Sequence, residues 1–217
     1  GAGLYTSASY KPSKKGEEKT REQKEEALKE TLRTVWASIW NLRAFEERDY
    51  FKIPHGEVLM GLQINPSFND EDVDGVLITK NVTESAVDGE KAVYIEAQRG
   101  DDYSVANPVP GLKPERLLVR VNRTFPLDKR FYEIEVLQRS NVDDDMETIM
   151  DHGNPTAIMT DDEIKDLVYQ ALKAEEHFHP LLGKDTESFA LDMEFKVDRN
   201  NDNVRQVFLK QARPYIN

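Results

Sequence analysis

The sequence predicts an α+β fold: a mostly antiparallel sheet packed with two main helices. Two long segments carry apolar residues at spacings of three and four, the mark of amphipathic helices. Between and after them lie short alternating runs separated by polar turns, the mark of strands. The order is helix, run of strands, helix, hairpin. That order reads as an α+β layer structure.

Residues 3–11, "GLYTSASYK", are rich in small and β-forming residues and read as a loop entering a strand. A charged connection, "KPSKKGEEK", follows. One long helix is expected over about Arg21 to Tyr50, with Leu28, Leu32, Val35, Trp36, Ile39, Trp40 and Leu42 forming its apolar stripe. Trp36 and Trp40 are four apart on that stripe, as expected of core anchors. Strands are expected at Glu57–Ile64, Gly75–Lys80, Ala92–Gln98, Arg116–Val121 and Phe131–Gln138. The second helix opens at "TDDE", where Thr160 and Glu163 can form a capping box. Ile164, Leu167, Val168, Ala171 and Leu172 supply its apolar face. A hairpin from "ALDMEFKV" to "VFLKQARP" closes the chain.

The 217 residues suffice for one large domain or two small ones, and the reading adopted is a single, partial domain over 1–217. Hydrophobic residues make up 38% and charged residues 32%, so a folded core is expected beneath a charged exterior. The net charge of −12 repels nucleic acid and anionic membrane, so an anionic ligand needs a local cationic pocket. There is no cysteine, which excludes disulfides, thiolate catalysis and cysteine zinc sites and fits a cytoplasmic location. No apolar run approaches the roughly 20 residues that span a bilayer. The first residue is Gly1, not Met, and the chain reads as a piece excised from a larger polypeptide.

The terminal hairpin is the strongest candidate site. Side chains alternate faces along a strand, so Asp192 and Glu194 point the same way, and Gln211 and Arg213 are expected to share a face with Val207 and Leu209. The two polar sets meet only if facing residues have numbers with an odd sum, and the turn near Asp198–Asn203 must set that register. If they meet, Glu194 and Gln211 offer oxygens to Mg²⁺ and Arg213 can fork onto a phosphate. The same pattern also describes a half-exposed hairpin with a polar outer face, and spacing leaves both readings open.

Three other acidic or histidine-rich stretches are weaker. Asp70, Asp72, Asp74 and Gly75 match the start of an EF-hand loop, but the twelfth position is Asn81 and not the bidentate Glu the loop needs. His177 and His179 are poorly spaced to share a helical face, so a helix end is the default reading. "AQRGDDY" places Asp101 and Asp102 at a strand end, where sites and plain acidic turns both occur. No Walker loop, dinucleotide glycine fingerprint, nucleophile elbow or kinase signature is present.

Taken in order, these pieces resemble the nucleotide-binding domain of the phosphoenolpyruvate synthase and pyruvate phosphate dikinase family, in its C-terminal portion. The residues that carry the resemblance are "GAGLYTSAS", "RTVWASIWNLRAFEER", "DGVLITKNV", "EAQRGDD", Pro114-Glu115, and the closing Asp-x-Glu and Gln-Ala-Arg-Pro strands at 192–194 and 211–214. The resemblance implies an ATP-grasp-like fold, with ATP and Mg²⁺ as ligands. It assigns Glu194 and Gln211 to the metal, Arg213 to a catalytic phosphate-binding role, and Asp192 to support them. It places Gly3 and Ser7 in a loop covering the phosphates, Asp101 near the ribose or metal, and Asn65 near the adenine, where relatives often have Gln.

Such proteins phosphorylate a histidine on a separate swivelling domain. No histidine here sits in a phosphohistidine motif, and the upstream half of the nucleotide grip would lie in a missing N-terminal lobe. The resemblance therefore implies the ATP-binding portion of a dikinase-like phosphotransferase, inactive when separated from its parent. The alternative is a degenerate interaction domain that keeps the scaffold without the chemistry.

Overall fold

A computed structural model of the chain describes residues 4–10, 18–65, 71–100, 105, 113–140, 157–182, 189–200 and 202–216. It divides into two compact units, Gly1–Ser67 and Phe68–Asn217.

In the first unit, helix α1 (Arg21–Ala37) starts at a capping box. The Thr20 hydroxyl accepts from the Gln23 backbone N–H and the Gln23 side chain accepts from the Thr20 N–H. The single helix expected to run to Tyr50 is instead broken. A short 3₁₀ turn covers Ser38–Trp40, Asn41 is extended with ψ 143°, and α2 resumes over Leu42–Tyr50. The Ser38 hydroxyl donates to the Val35 carbonyl at 2.6 Å. The Asn41 amide donates to the Leu4 carbonyl and the Thr6 hydroxyl. Local side-chain bonds of this kind compete with the helical ladder.

The break displaces the expected stripe. Ile39 is buried, but Trp36 and Trp40 are 49% and 59% exposed, so neither is a core anchor here. Trp40 instead lies 5.5 Å from the guanidinium of buried Arg48, whose Nε donates to His55 Nδ1. The strand expected at Glu57–Ile64 is absent: a 3₁₀ turn covers His55–Glu57, Leu59 and Ile64 are exposed, and no strand among the described residues pairs with this run. Residues 4–10 hold no strand either.

The second unit is the α+β layer structure that the sequence predicts. Strands β1 (Val73–Ile78), β2 (Ala92–Arg99), β3 (Glu115–Val121), β4 (Tyr132–Gln138), β5 (Leu191–Arg199) and β6 (Arg205–Pro214) form one sheet in the order β4-β3-β2-β1-β5-β6. Every neighbouring pair is antiparallel. The fold is of the ATP-grasp-like kind. Helix α3 (Asp161–Leu182) lies on one face. Its capping box forms as expected: the Thr160 N–H donates to Glu163 Oε2 at 2.8 Å and the Glu163 N–H to Thr160 Oγ1 at 3.3 Å.

Alternation builds the core. Val73, Leu77, Val93, Ile95, Leu117, Val119, Met193, Phe195 and Val197 point to the α3 side and meet Ile164, Leu167, Val168, Ala171 and Leu172. Burying a side chain of this size contributes about 1.5–3 kcal/mol. Gly75 stands opposite Phe195, whose fully buried ring fills the space a β-carbon would take. Both outer strands carry a bulge: β4 has an extra residue opposite the Arg116/Leu117 step, and β6 has one opposite the Glu194/Phe195 step. No described helix is long and apolar enough to cross a membrane.

Candidate functional site

The polar side chains gather on the sheet face opposite α3, and the β5–β6 hairpin decides which of them meet. At its tip, Asn203 adopts φ +61° and the Asn200 side-chain oxygen accepts from the Asp202 and Val204 N–H groups. From this turn the ladder starts with an even sum: Arg199 faces Arg205, Val197 faces Val207 and Phe195 faces Leu209. Continued regularly, that register would send Gln211 and Arg213 to the core side. One extra residue, Lys210, enters β6 at the bulge, and the sum becomes odd. Glu194 then faces Gln211 and Asp192 faces Arg213. The expectation that Gln211 and Arg213 share a face with Val207 and Leu209 is therefore overturned, because the bulge turns the strand over between Leu209 and Gln211.

The four residues come together on one face. Arg213 grips Asp192 with two nitrogens, Nε at 2.8 Å and Nη2 at 2.7 Å from Oδ2. Arg213 keeps half its side chain exposed, and Glu194 and Gln211 are exposed beside it. Of the other expected site residues, Gly3 and Asp101 lie outside the described residues. Ser7 and Asn65 belong to the first unit, both exposed, with the Gln63 amide donating to the Asn65 side-chain oxygen at 3.1 Å.

The sequence reading missed two neighbours on the same sheet face. Lys196 sits between Glu71 and Asp74, 2.9 Å from the latter. Burial acts to lower its pKa, but hydrogen bonds to both carboxylates overcome this and raise it. Of the acids read as part of a calcium-like loop, Asp70 lies outside the described residues, Asp74 is engaged by Lys196, and Asp72 by Arg199 and Arg205.

The second neighbour is a cleft of about 600 Å³ lined in part by Thr83, Tyr94, Glu96, Arg116, Gln138 and Tyr215. Its floor is a chain of polar contacts. The Tyr94 hydroxyl donates to Glu96 Oε1 at 2.5 Å, and Arg116 Nε lies 2.9 Å from the same oxygen without an aligned N–H. Burial, then the bond to Glu96, pushes the Tyr94 phenol well above its ordinary value, so it stays a donor. The signal in the sequence was the even-numbered polar row Tyr94, Glu96 and Gln98 on a strand whose odd positions Val93, Ile95 and Ala97 are apolar. Their meeting with Arg116 depends on β2–β3 register, in which Glu96 faces Arg116.

The donor set suits a hard divalent cation bound with an anion. Glu194 and Gln211 present two oxygen-bearing side chains opposite each other, which fits Mg²⁺, an ion that takes few protein oxygens and keeps water or phosphate in its shell. No cluster of three His or acidic side chains with metal-ligand geometry occurs among the described residues. A family model described as pyruvate phosphate dikinase, AMP/ATP-binding domain, matches residues 15–216, and the chain belongs to that family. Neither the curated proteins nor the solved structures gave a match.

Proposed function

Taking that membership as premise, we propose that this chain is the Mg·ATP-binding portion of a dikinase-like phosphotransferase that phosphorylates a histidine on a separate domain. The observation that carries the reading is the odd register of the terminal hairpin, which sets Asp192, Glu194, Gln211 and Arg213 on one face. Glu194 and Gln211 hold the metal through oxygen. Arg213 binds a phosphate oxygen, and Asp192 fixes its guanidinium so that the fork is oriented before ligand arrives. Mg²⁺ bound there supplies charge neutralisation for the triphosphate. Phosphoryl transfer needs placement and charge compensation more than a protein nucleophile, so such a set suffices on this side of the nucleotide. The reading places the protein in a cytoplasmic ATP pool, as one partial domain of a longer polypeptide with its N-terminal lobe and phosphohistidine domain elsewhere. Gly3 and Ser7 cover the phosphates in this reading, Asn65 lies by the adenine and Asp101 by the ribose or metal.

Calorimetric and thermal-shift titration with Mg·ATP tests it, on this chain and on the parent polypeptide. Ligand at 100-fold its dissociation constant stabilises by about 2.7 kcal/mol. Glu194→Ala and Arg213→Ala each abolish the response, and omission of Mg²⁺ weakens it. A parent polypeptide that ignores Mg·ATP, or variants that respond like the wild type, overturn the proposal.

A further inference from the structure

The nucleotide reading makes no use of Arg48, and the surroundings of that side chain leave it half satisfied. Arg48 stands in the last turn of α2 and is 5% exposed. Its Nε donates to His55 Nδ1 at 3.2 Å, and the guanidinium lies 5.5 Å from the centre of the Trp40 ring. The His55 ring is in turn stacked on Phe45, with 3.9 Å between centres and 10° between planes. These contacts fix the plane of the guanidinium without neutralising it. Nη1 and Nη2 are both buried, and no acceptor among the described residues bonds to either.

Arginine keeps its charge in a protein, so a buried guanidinium cannot escape by losing a proton. A buried cation without a partner is strongly unfavourable. The end of α2 offers only about half a negative charge. Arg205 and Arg213, by contrast, each hold a carboxylate. Two N–H groups on one planar edge match the two oxygens of a carboxylate. His55 turns a lone pair to Arg48 and adds no charge on that side, so the site presents a single cation. A monoanion balances it, whereas a phosphate carries up to two negative charges. Around it, Trp40, Leu42 and Phe45 are exposed. A buried arginine among exposed aromatic side chains has the composition of a protein–protein hot spot.

We propose that Nη1 and Nη2 of Arg48 receive a carboxylate, carried by an acidic side chain of a second protein segment that packs on Trp40 and Phe45. Trp40 is more than half exposed and has room to turn aside as the segment enters. The carboxylate then takes both N–H groups and completes the charge balance that His55 and Trp40 leave open. The inference stands apart from the Mg·ATP reading, since none of these residues belongs to the hairpin set.

The chain has two tryptophans, so Trp36→Phe leaves Trp40 as its single reporter. The test is a fluorescence titration of this variant at pH 8 and constant ionic strength. The probes are acetate, its neutral isostere acetamide, inorganic phosphate, and the blocked dipeptide N-acetyl-aspartyl-phenylalanine amide. Acetate is expected to change the Trp40 emission saturably, with a dissociation constant of about 1–10 mM. The dipeptide, which adds an aromatic contact, should bind about 10-fold tighter or more. Arg48→Lys keeps the charge and loses the fork, and should weaken the dipeptide about 10-fold or more. Arg48→Met should abolish the response. Circular dichroism checks the fold of each variant, and Arg48→Lys decides the matter alone if Arg48→Met does not fold. Equal responses to acetate and acetamide overturn the inference, as does phosphate bound in preference to the carboxylates. A dipeptide no tighter than acetate, or an undiminished Arg48→Lys, overturns it as well.

Discussion

Gly75→Ala tests the packing that supports the hairpin. A β-carbon built on Gly75 would lie 2.3 Å from Phe195 Cζ, 2.4 Å from Phe195 Cε1 and 2.8 Å from the Glu96 carbonyl oxygen. Ordinary contact therefore requires a shift of about 1 Å in a close-packed interior. The ring is fully buried and cannot swing into solvent, and the carbonyl is part of the β1–β2 ladder. Overpacking of this kind costs about 1–3 kcal/mol. At about 2–4 °C per kcal/mol for a chain of this size, Tm falls by about 2–12 °C. Urea denaturation and calorimetry measure both quantities. Phe195→Leu in the Gly75→Ala background should recover part of the loss, because the flat ring that meets the new methyl is gone, and the two substitutions should couple in a double-mutant cycle. A Gly75→Ala protein that melts within about 1 °C of the wild type, or a cycle with no coupling, refutes the reasoning.

Three further outcomes are expected. Deleting Lys210 leaves a regular ladder in which Glu194 still faces Gln211, so the Mg·ATP response survives; deleting Ala212 moves Arg213 opposite Met193 on the core side and abolishes the response, as titration calorimetry would show. Lys196 has its pKa raised above 10.5 by its carboxylate partners, so its stabilising charge is fully present below that value and is lost as pH rises through the folded-state value. Lys196→Met should therefore be less stable than the wild type at pH 8, with the gap narrowing above about pH 10.5 in urea titrations. Thr160→Ala removes the hydroxyl half of the α3 capping box and should cost about 1 kcal/mol by chemical denaturation, while Thr160→Ser should cost less.

Much of the second unit was legible in the sequence because its signals are local. The apolar face of α3, its TDDE start and the alternation in β2, β3 and β5 each follow from residues within one element. The polar hairpin was legible as two polar sets, since parity along a single strand needs no partner. Their meeting was not, because it depends on a one-residue bulge that no turn motif announces. The broken helix was hidden for a related reason. Ser38 and Asn41 have ordinary places in a helical pattern, and it is their bonds to Val35, Leu4 and Thr6 that end it. The Glu57–Ile64 run has strand-like composition, but a strand exists only where another strand pairs with it. Lys196 with Glu71 and Asp74, and Glu96 with Arg116, joined across elements whose register composition does not specify.

The two bulges have a consequence beyond the site. They fall on β4 and β6, the outermost strands of the sheet among the described residues, where unsatisfied backbone groups would otherwise invite strands from other molecules. Each interrupts the regular spacing that an incoming strand must match. The irregularity that turns Gln211 and Arg213 towards their partners thus also guards one rim of the sheet against edge-to-edge aggregation, and straightening that rim would open a path to fibrils.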